Sequence, residues 1–248
     1  MTTTLYTFHI SHFSEKARWG LALAGVPFSE RALLPGLHMA RLRRIAPRTT
    51  VPVLVRGATV IQGSSAILDH AASALGRAAL EPPPAAAAEA RELEALADRA
   101  FGLGVQRIFY DALLHDRGTL VDLWAQAGPW WSKGFYRVAF PAMALGLRKT
   151  YKLRPDVVAA ARDRFIDAWR RLDAIVAARP YVVGDRPSRV DVTIAALLGP
   201  VVRPAEHSVR WPAPPEATRS FVAELEGTPT WAYVERMYRD HRHAPALG

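Results

Sequence analysis

The sequence predicts an α/β domain followed by an all-helical domain, and three observations support this division. Runs of β-branched and aromatic residues alternate with helical patterns in the first part of the chain, which is typical of an α/β unit. A Pro-rich stretch at residues 81–84 then favours extended backbone and blocks a helix. The sequence beyond it is Ala-rich, with apolar residues at helical spacing. We therefore predict domains at residues 1–78 and 87–248, joined by a linker at residues 79–86.

The first domain is predicted to have the element order β-α-β-α-β-β-α. Ser14 is the expected N-cap of the first helix, and Pro52 belongs at the start of a strand because proline cannot donate to a ladder. The predicted strands are residues 3–10, 28–33, 53–55 and 59–61, and the predicted helices begin near Ser14, Met39 and Ala66 and end near Gly25, Ile45 and Gly76. This order is that of a thioredoxin-like domain.

The second domain carries two strong helix signals. Pro155 suits the first position of a helix, and apolar residues at helical spacing continue that helix to Ala178. Ser188 and Asp191 form a capping-box-like pair before a strongly apolar run, which predicts a buried helix.

The hairpin that begins at Pro52 predicts a site for a small acidic peptide. The N–H and C=O of Val51, beside the proline, are free to pair with an extended peptide. After the hairpin, the Ser64 hydroxyl and the bare N–H groups of the next helix converge on a site suited to a carboxylate.

These motifs resemble the glutathione-binding half of a glutathione S-transferase. The resemblance rests on Val51-Pro52-Val53-Leu54 followed by Ser64-Ser65-Ala66-Ile67, and Ser188 and Asp191 resemble that family's C-terminal folding motif. It implies a cis proline and pairing of the residue before it with the cysteinyl backbone of glutathione. It also implies that the serine opening the helix binds the γ-glutamyl carboxylate. Glutathione is therefore the expected co-substrate.

Such an enzyme must form a thiolate. Lowering a thiol pKa of about 8.5 by about two units takes roughly 3 kcal/mol. A helix N-terminus supplies at most about 2 kcal/mol and a charge-assisted hydrogen bond about 1.5–3 kcal/mol, so the two together suffice. The loop Ser11-His12-Phe13-Ser14 resembles the loop of theta-, tau- and zeta-like transferases, whose first serine contacts the sulfur. We predict Ser11 as the catalytic residue, with Tyr6 and His12 as alternatives.

Gly63 departs from the family pattern, which has Glu or Gln before the γ-glutamyl-binding serine. Gln62 would compensate if the loop shifted by one residue, Asp98 would contribute across a dimer interface, and otherwise the site has drifted from glutathione. His38 and Arg41 are candidates for the glycyl carboxylate, with surface solvation as the alternative for both. The predicted glutathione-binding residues are Val51, Pro52, Gln62, Ser64, Ser65 and His38.

The second-substrate pocket is expected between the two domains, where clefts collect apolar side chains. The predicted pocket residues are Phe13, Phe109 and Tyr110, with Phe101, Trp130 and Trp131 as further candidates. A basic, Trp-rich segment at residues 123–155 has no acidic residue and is expected to break at Gly128-Pro129 and at Pro141. It would shape the pocket, bind anionic electrophiles or touch anionic lipid.

Composition sets outer limits on these predictions. The net charge is +9, but most of the excess is local, so we expect no nucleic-acid partner. No cysteine is present, and the scattered histidines predict no metal site. No signal peptide or run of about 18 apolar residues is evident, which predicts a soluble, cytoplasmic protein without membrane insertion. The C-terminal residues 241–243 are expected to be frayed.

We therefore predict a glutathione S-transferase that conjugates glutathione to small hydrophobic electrophiles, a detoxification chemistry. The resemblance also implies a homodimer. Three alternatives stay open: a non-catalytic binding or interaction protein on the same fold, a nucleic-acid or membrane-surface binder using residues 123–155, and a glutathione-dependent isomerase or peroxidase.

Overall fold

The structure, a computed structural model, describes residues 2–73 and 80–242. The strands in these ranges are β1 (Thr3–Thr7), β2 (Ser29–Ala32), β3 (Val53–Arg56) and β4 (Thr59–Gln62). The α-helices are α1 (His12–Leu23), α2 (His38–Leu42), α3 (Ser64–Ser73), α4 (Ala87–Ala97), α5 (Leu103–Leu113), α6 (Arg117–Ala125), α7 (Ser132–Tyr151), α8 (Pro155–Ala178), α9 (Arg189–Val202), α10 (Arg219–Ala223) and α11 (Pro229–His241). A π-helical turn, Asp98–Gly102, joins α4 to α5.

The N-terminal unit is built on a four-stranded mixed sheet with the order β2-β1-β3-β4. β1 is parallel to β2 and antiparallel to β3, and β3 is antiparallel to β4. Tyr6 near the end of β1 pairs with Val53 at the start of β3, which pairs in turn with Gln62 at the end of β4. The loop after β1, the residues before β3 and the residues after β4 therefore meet at one end of the sheet. The predicted thioredoxin-like domain is confirmed.

Within the described residues, the regular elements of the C-terminal part are all helices, and they pack around α9. Every residue of α9 from Val190 to Val202 is buried, as expected for a central helix that is apolar on all sides. α4, α5 and α11 surround it, and α1 of the N-terminal unit packs against it as well. A separate cluster that includes Leu120, Trp124 and Tyr136 lies between α6 and α7. The predicted helix at residues 155–178 is confirmed as α8.

The start of α1 corrects the sequence prediction. The N-cap is Ser11, not Ser14: the Ser11 Oγ accepts a hydrogen bond from the Ser14 N–H at 3.2 Å. The Ser14 hydroxyl instead accepts from the Phe8 N–H at 3.3 Å, so it shapes the turn before the helix. This turn ends β1 at Thr7, three residues before the predicted end. α3 likewise begins two residues earlier than predicted, at Ser64, and its predicted end near residue 76 lies outside the described residues.

α7 continues through Pro141, where the sequence predicted a break. Proline has no N–H, so the carbonyl of Arg137, four residues earlier, loses its helical partner. The side chain of Arg117 on α6 donates a hydrogen bond to this carbonyl and satisfies it. The other predicted break is confirmed, because α6 and α7 are separate on the two sides of Gly128.

The last described residues are anchored rather than frayed. The Nε of Arg242 lies 2.6 Å from a carboxylate oxygen of Glu15 on α1, and both side chains are buried. The indole N–H of Trp19 also donates to the His241 carbonyl at 3.1 Å. The prediction of a frayed terminus is therefore wrong for these two residues, and residue 243 lies outside the described range.

The predicted capping box before α9 is present. One carboxylate oxygen of Asp191 accepts from the N–H and the hydroxyl of Ser188, both at 2.9 Å. The other accepts from the Val182 N–H at 2.8 Å and the Tyr233 hydroxyl at 2.7 Å. Asp191 is fully buried, so it joins the preceding loop and α11 to the start of the central helix.

We expect Asp191→Ala to destabilise the protein by at least about 3 kcal/mol, because it leaves several buried donors without a partner and each costs about 1–3 kcal/mol. Ser188→Ala removes one cap and should cost about 0.5–2 kcal/mol. Urea unfolding measures both changes, with the exposed Asp185→Ala as control. Equal losses for Asp191→Ala and Ser188→Ala would contradict this account.

Candidate active site

A cavity of about 610 Å³ lies between the N-terminal unit and the helical part. This volume is within the range of small-molecule sites, about 300–1,000 Å³. The wall from the N-terminal unit includes the loop after β1 and the residues before β3, and the opposite wall comes from α5, α6 and α7. The predicted site residues on its walls are Ser11, Phe13, His38, Val51, Phe109 and Tyr110.

Ser11 lies on the cavity wall at the N-terminus of α1. Its Oγ accepts the hydrogen bond that caps the helix, so the hydroxyl proton is left for an acceptor in the cavity. The N–H groups of His12 and Phe13 make no backbone hydrogen bond within the described part of the chain, as is usual in a first helical turn. The positive end of the helix dipole and a hydroxyl donor therefore lie together at this point.

Hydrogen bonds from Arg18 and to Gln126 hold the loop that carries Ser11. Arg18 Nη2 donates to the carbonyls of Phe8 and His9 at 3.0 and 3.4 Å. His9 Nε2 donates to the side-chain oxygen of Gln126, at the end of α6, at 3.1 Å. The loop is thus fixed both to its own helix and to the helical part.

The Val51–Pro52 peptide bond, at the start of β3, is cis, as the resemblance to the transferases implies. The Pro52 carbonyl accepts from the Gly63 N–H at 3.0 Å. Val51 lies on the cavity wall, and its own N–H and C=O make no hydrogen bond to any residue the structure describes. They are therefore free to pair with an extended peptide.

The start of α3 carries Ser64, which is buried, and Ser65, which is bonded to charged groups. The Ser65 hydroxyl donates to Asp98 at 2.9 Å and accepts from Lys16 Nζ at 2.7 Å. Lys16 is fully buried and also pairs with Asp98 and Glu94, each at 2.9 Å. Asp98 therefore contacts the start of α3 within one chain, whereas the prediction had Asp98 contribute across a dimer interface.

Gln62 is occupied by the loop before β3. Its amide nitrogen donates to the carbonyls of Arg48 and Thr50, both at 2.7 Å, and its oxygen accepts from the Arg48 N–H at 3.1 Å. It therefore supports that loop and is not free to replace the side chain missing at Gly63. Gly63 has a φ of +102°, and a Cβ there would meet no atom within 4 Å.

The pairing in the sheet brings these elements side by side. β1, β3 and β4 are neighbours, and strands lie about 4.8 Å apart, so about 10 Å separates the end of β1 from the end of β4. An extended tripeptide spans about 10 Å. A tripeptide laid across this end of the sheet would therefore reach from the start of α3 past Val51 toward Ser11.

The two alternatives to Ser11 make other contacts, although His12 also lies on the cavity wall. His12 is buried and donates from Nε2 to the Gly102 carbonyl at 3.0 Å. Burial lowers the pKa of His12 to about 4, so its ring is neutral near pH 7. Tyr6 is buried in the sheet and is absent from the cavity wall, and its hydroxyl lies 3.4 Å from a guanidinium nitrogen of Arg41.

The candidates for the glycyl carboxylate differ in position. His38 lies on the cavity wall, where its Nε2 donates to the Thr49 carbonyl at 2.9 Å. Burial lowers the pKa of His38, which favours the neutral ring. Arg41 is exposed, and its guanidinium lies 5.8 Å from the centre of the Tyr6 ring, outside the cavity wall.

The apolar walls combine predicted and unexpected aromatic residues. Phe13, Phe109 and Tyr110 line the cavity, and burial raises the pKa of the Tyr110 hydroxyl. Tyr110 stacks on Tyr151 of α7 with ring centres 5.2 Å apart. Of the further candidates, Phe101 belongs to the helical core, while Trp130 and Trp131 are exposed and outside the wall. Sequence reasoning missed Trp124, Tyr151, Arg203 and Trp211, which also line the cavity.

A family model matches the first part of the chain. Residues 5–79 match a family model described as "Glutathione S-transferase, N-terminal domain". No curated protein matches the sequence.

Solved structures of low sequence identity share the fold. A glutathione S-transferase of Ceriporiopsis subvermispora in complex with glutathione aligns with a TM-score of 0.65 and 17% identity over 100% of both chains. The beta-etherase LigF from Sphingobium sp. strain SYK-6 aligns with a TM-score of 0.61 and 18% identity over 94% of this chain and 98% of its own. A glutathione S-transferase of Methylobacterium radiotolerans in complex with glutathione sulfonate aligns with a TM-score of 0.59 and 20% identity, over 100% and 98%.

Two buried histidines, His12 at the start of α1 and His207, predict a pH-dependent stability. Burial lowers the pKa of His12 and of His207 from 6.5 to about 4. The unfolded chain therefore takes up protons first as the pH falls. The neutral rings make their full contribution to the free energy of unfolding above about pH 6.5. This contribution is lost as the pH falls from about 6.5 to about 4, by about 3 kcal/mol for each ring.

We expect His12→Gln, whose amide can still donate to the Gly102 carbonyl, to reduce the fall in unfolding free energy between pH 7 and pH 4 by about 3 kcal/mol. Urea unfolding at several pH values measures this slope. The matched control is His115→Gln, because His115 is exposed. The same slope in wild type and His12→Gln would rule out a role for His12.

Proposed function

We propose that this chain, whose residues 5–79 belong to the family of glutathione S-transferase N-terminal domains and which has the fold of those enzymes over its whole length, transfers glutathione to a small hydrophobic electrophile. The observation that carries the proposal is the position of Ser11. Its hydroxyl lies at the bare N-terminus of α1, on the wall of a cavity between the two parts of the chain.

Glutathione would lie across the end of the sheet. Its cysteinyl backbone would pair with the free N–H and C=O of Val51. The N-terminus of α3 at Ser64 and Ser65 would receive the γ-glutamyl carboxylate, because first-turn N–H groups and the helix dipole favour an anion. Asp98, bonded to Ser65, supplies a partly exposed carboxylate for the γ-glutamyl ammonium. His38 lies on the cavity wall and would contact the glycyl carboxylate.

Ser11 would stabilise the thiolate. The thiol releases its proton to solvent, and the sulfur anion accepts a hydrogen bond from the Ser11 hydroxyl beside the N–H groups of His12 and Phe13. The sulfur then attacks an electrophilic carbon. A carbon–sulfur bond forms and the bond to the leaving group breaks, with its electron pair departing on that group.

The electrophile would occupy the part of the cavity lined by aromatic residues. Phe13, Phe109 and Tyr110 provide apolar and aromatic surface, which favours flat or aromatic hydrophobic substrates. We extend the proposal to a homodimer in the cytoplasm, as the resemblance implies. The dimer is checked by measuring the mass of the protein in solution.

Gly63 favours a second candidate function, a glutathione-binding or interaction protein without catalysis. A side chain at this position would supply a hydrogen bond to the charged γ-glutamyl end worth about 1.5–3 kcal/mol. Gln62 does not replace it, because its amide is bonded to residues 48 and 50. A binding measurement and a turnover measurement separate the two functions.

We expect glutathione to bind with a Kd in the micromolar to low-millimolar range, and S-hexylglutathione to bind at least about tenfold more tightly because its alkyl chain enters the cavity. Calorimetric titration measures both. Ophthalmic acid, which carries a methyl group in place of the thiol, should bind without forming a thiolate. Absence of binding by all three ligands would remove glutathione from the proposal.

We expect Ser11→Ala to raise the pKa of the bound glutathione thiol by about one to two units, since a hydrogen bond to a charged group contributes about 1.5–3 kcal/mol. At pH 7 the thiolate fraction, and with it the rate of conjugation, should fall about 3- to 25-fold. Thiolate absorbance across a pH titration gives the thiol pKa, and steady-state kinetics give the rate.

Two variants control for loss of the helix cap. Ser11→Thr keeps a hydroxyl and should restore a low thiol pKa. Ser14→Ala removes the neighbouring hydroxyl, which bonds to the Phe8 N–H and is absent from the cavity wall, so it should change stability but not the thiol pKa. Turnover in Ser11→Ala equal to that of wild type would show that Ser11 is not catalytic.

A further inference from the structure

Helix α7 has apolar side chains on two opposite faces. The inner face packs Tyr136, Phe140 and Leu147 into the cluster under α6. On the outer face Val138 is 84% exposed and Leu145 is 70% exposed. These two residues are seven positions apart, which is two helical turns, so they form one outward row.

Two exposed tryptophans stand at the start of the helix, and one of them continues the seven-residue spacing of this row. Trp131 lies seven residues before Val138 and is 41% exposed, and Trp130 is 93% exposed. Large apolar side chains exposed in one line mark interaction surfaces, whereas single exposed residues need no explanation. We call Trp130, Trp131, Val138 and Leu145 the outer row of α7.

The charged residues within the segment that carries the outer row are all basic. No acidic residue occurs from residue 123 to residue 155, while six basic residues do. Two of the six are paired with acids that flank the segment: Lys133 with Asp122 at 2.6 Å and Arg154 with Asp156 at 2.8 Å. The other four, Arg137, Arg148, Lys149 and Lys152, are exposed and make no ion pair within the described residues. Lys149 follows Leu145 by four residues and so lies on the same face.

We propose that the outer row of α7 and its four unpaired basic residues bind a membrane surface that contains anionic lipid. The apolar side chains would enter the boundary between headgroups and acyl chains, where tryptophan is favoured, and the basic side chains would contact lipid phosphates. No helix of the described residues is long and apolar enough to cross a membrane, so this binding is peripheral.

The same observations argue against two other occupants. A second copy of the chain would bring the same unpaired cations to a symmetric contact, and like charges repel. Nucleic acid would satisfy the cations, but exposed aliphatic side chains such as Val138 and Leu145 add nothing to phosphate contacts. Anionic lipid is the occupant that satisfies both the charge and the apolar row.

This placement connects with the cavity, and that connection alone rests on the proposed function. Ala139, Met143 and Leu147 of α7 line the cavity, on turns of the helix that also carry the outer row. A docked α7 would therefore bring the cavity wall close to the bilayer. Hydrophobic electrophiles dissolved in the membrane would then have only a short path to the sulfur of bound glutathione.

Vesicle flotation tests the proposal. We expect the full-length protein to float with phosphatidylcholine vesicles that contain phosphatidylglycerol, to remain free with phosphatidylcholine alone, and to dissociate as salt rises. Each surface charge contributes about a fivefold factor, so Arg148→Gln with Lys149→Gln should weaken binding about 20- to 30-fold. Val138→Ser with Leu145→Ser should weaken it at least about tenfold.

Controls separate this proposal from the active site. Arg164→Gln with Arg170→Gln removes the same charge from exposed positions on α8 and should change binding by less than about threefold. None of the four substituted residues of α7 lines the cavity, so both α7 variants should bind S-hexylglutathione like wild type. Vesicle binding with no glutathione binding would defeat the proposed function but support the membrane surface.

Three results would overturn the proposal: no flotation with phosphatidylglycerol vesicles at low salt, flotation equal on neutral vesicles, or equal weakening by the α7 and α8 charge variants. Binding of a nucleic-acid oligomer that the α7 variants abolish, without vesicle binding, would overturn it in favour of a nucleic-acid partner.

Discussion

The burial of α1 between the two parts of the chain is the constraint on which the candidate site depends. Its middle carries Lys16, which is fully buried and bonded to Glu94, Asp98 and Ser65. A buried cation without such partners would cost several kcal/mol, so this side chain fixes the helix at one position and rotation. The same contacts link the start of α3 to α4 and the π-helical turn. The helix whose N-terminus carries Ser11 is therefore held by both parts of the chain.

A second buried charge cluster sets the loop in front of α1. Glu15 pairs with Arg18 at 3.0 Å and with Arg242 at 2.6 Å, and these cations outweigh burial and lower the pKa of Glu15 to about 2. Arg18 in turn donates to the carbonyls of Phe8 and His9. The final residue that the structure describes thus acts, through two charged side chains, on the loop that presents Ser11 to the cavity.

Local sequence signals predicted the parts of this structure that local chemistry determines. Pro155 and the Ser188–Asp191 pair mark helix starts because their effect comes from residues within one turn. The choice between Ser11 and Ser14 as N-cap failed, because both serines can cap and the decision depends on the bond from the Phe8 N–H to Ser14. Hydrogen bonds within a turn, such as this one between residues six positions apart, leave no periodic trace in the sequence.

Contacts between residues far apart in the sequence account for the other differences between the prediction and the structure. The donor that lets α7 pass Pro141 is a side chain of α6, and the anchor of the C-terminus is a residue of α1. The position of Asp98 has the same origin, since the sequence marks an acid on a helix but not the lysine that draws it to Ser65. Charged residues in amphipathic helices are usually solvated, so no local rule separates these buried ones from the rest.

Gly63 shows how backbone and chemistry interact at the site. Gly63 has a φ of +102°, which glycine adopts easily and which is strained for other residues. The turn from β4 into α3 therefore favours glycine at this position. The open space around its missing Cβ means that nothing in the described fold requires a side chain there. Recognition of a γ-glutamyl group then depends on the helix terminus and on Asp98. Because Lys16 already neutralises part of the charge on Asp98, the ammonium end would be held less strongly than by an unpaired carboxylate.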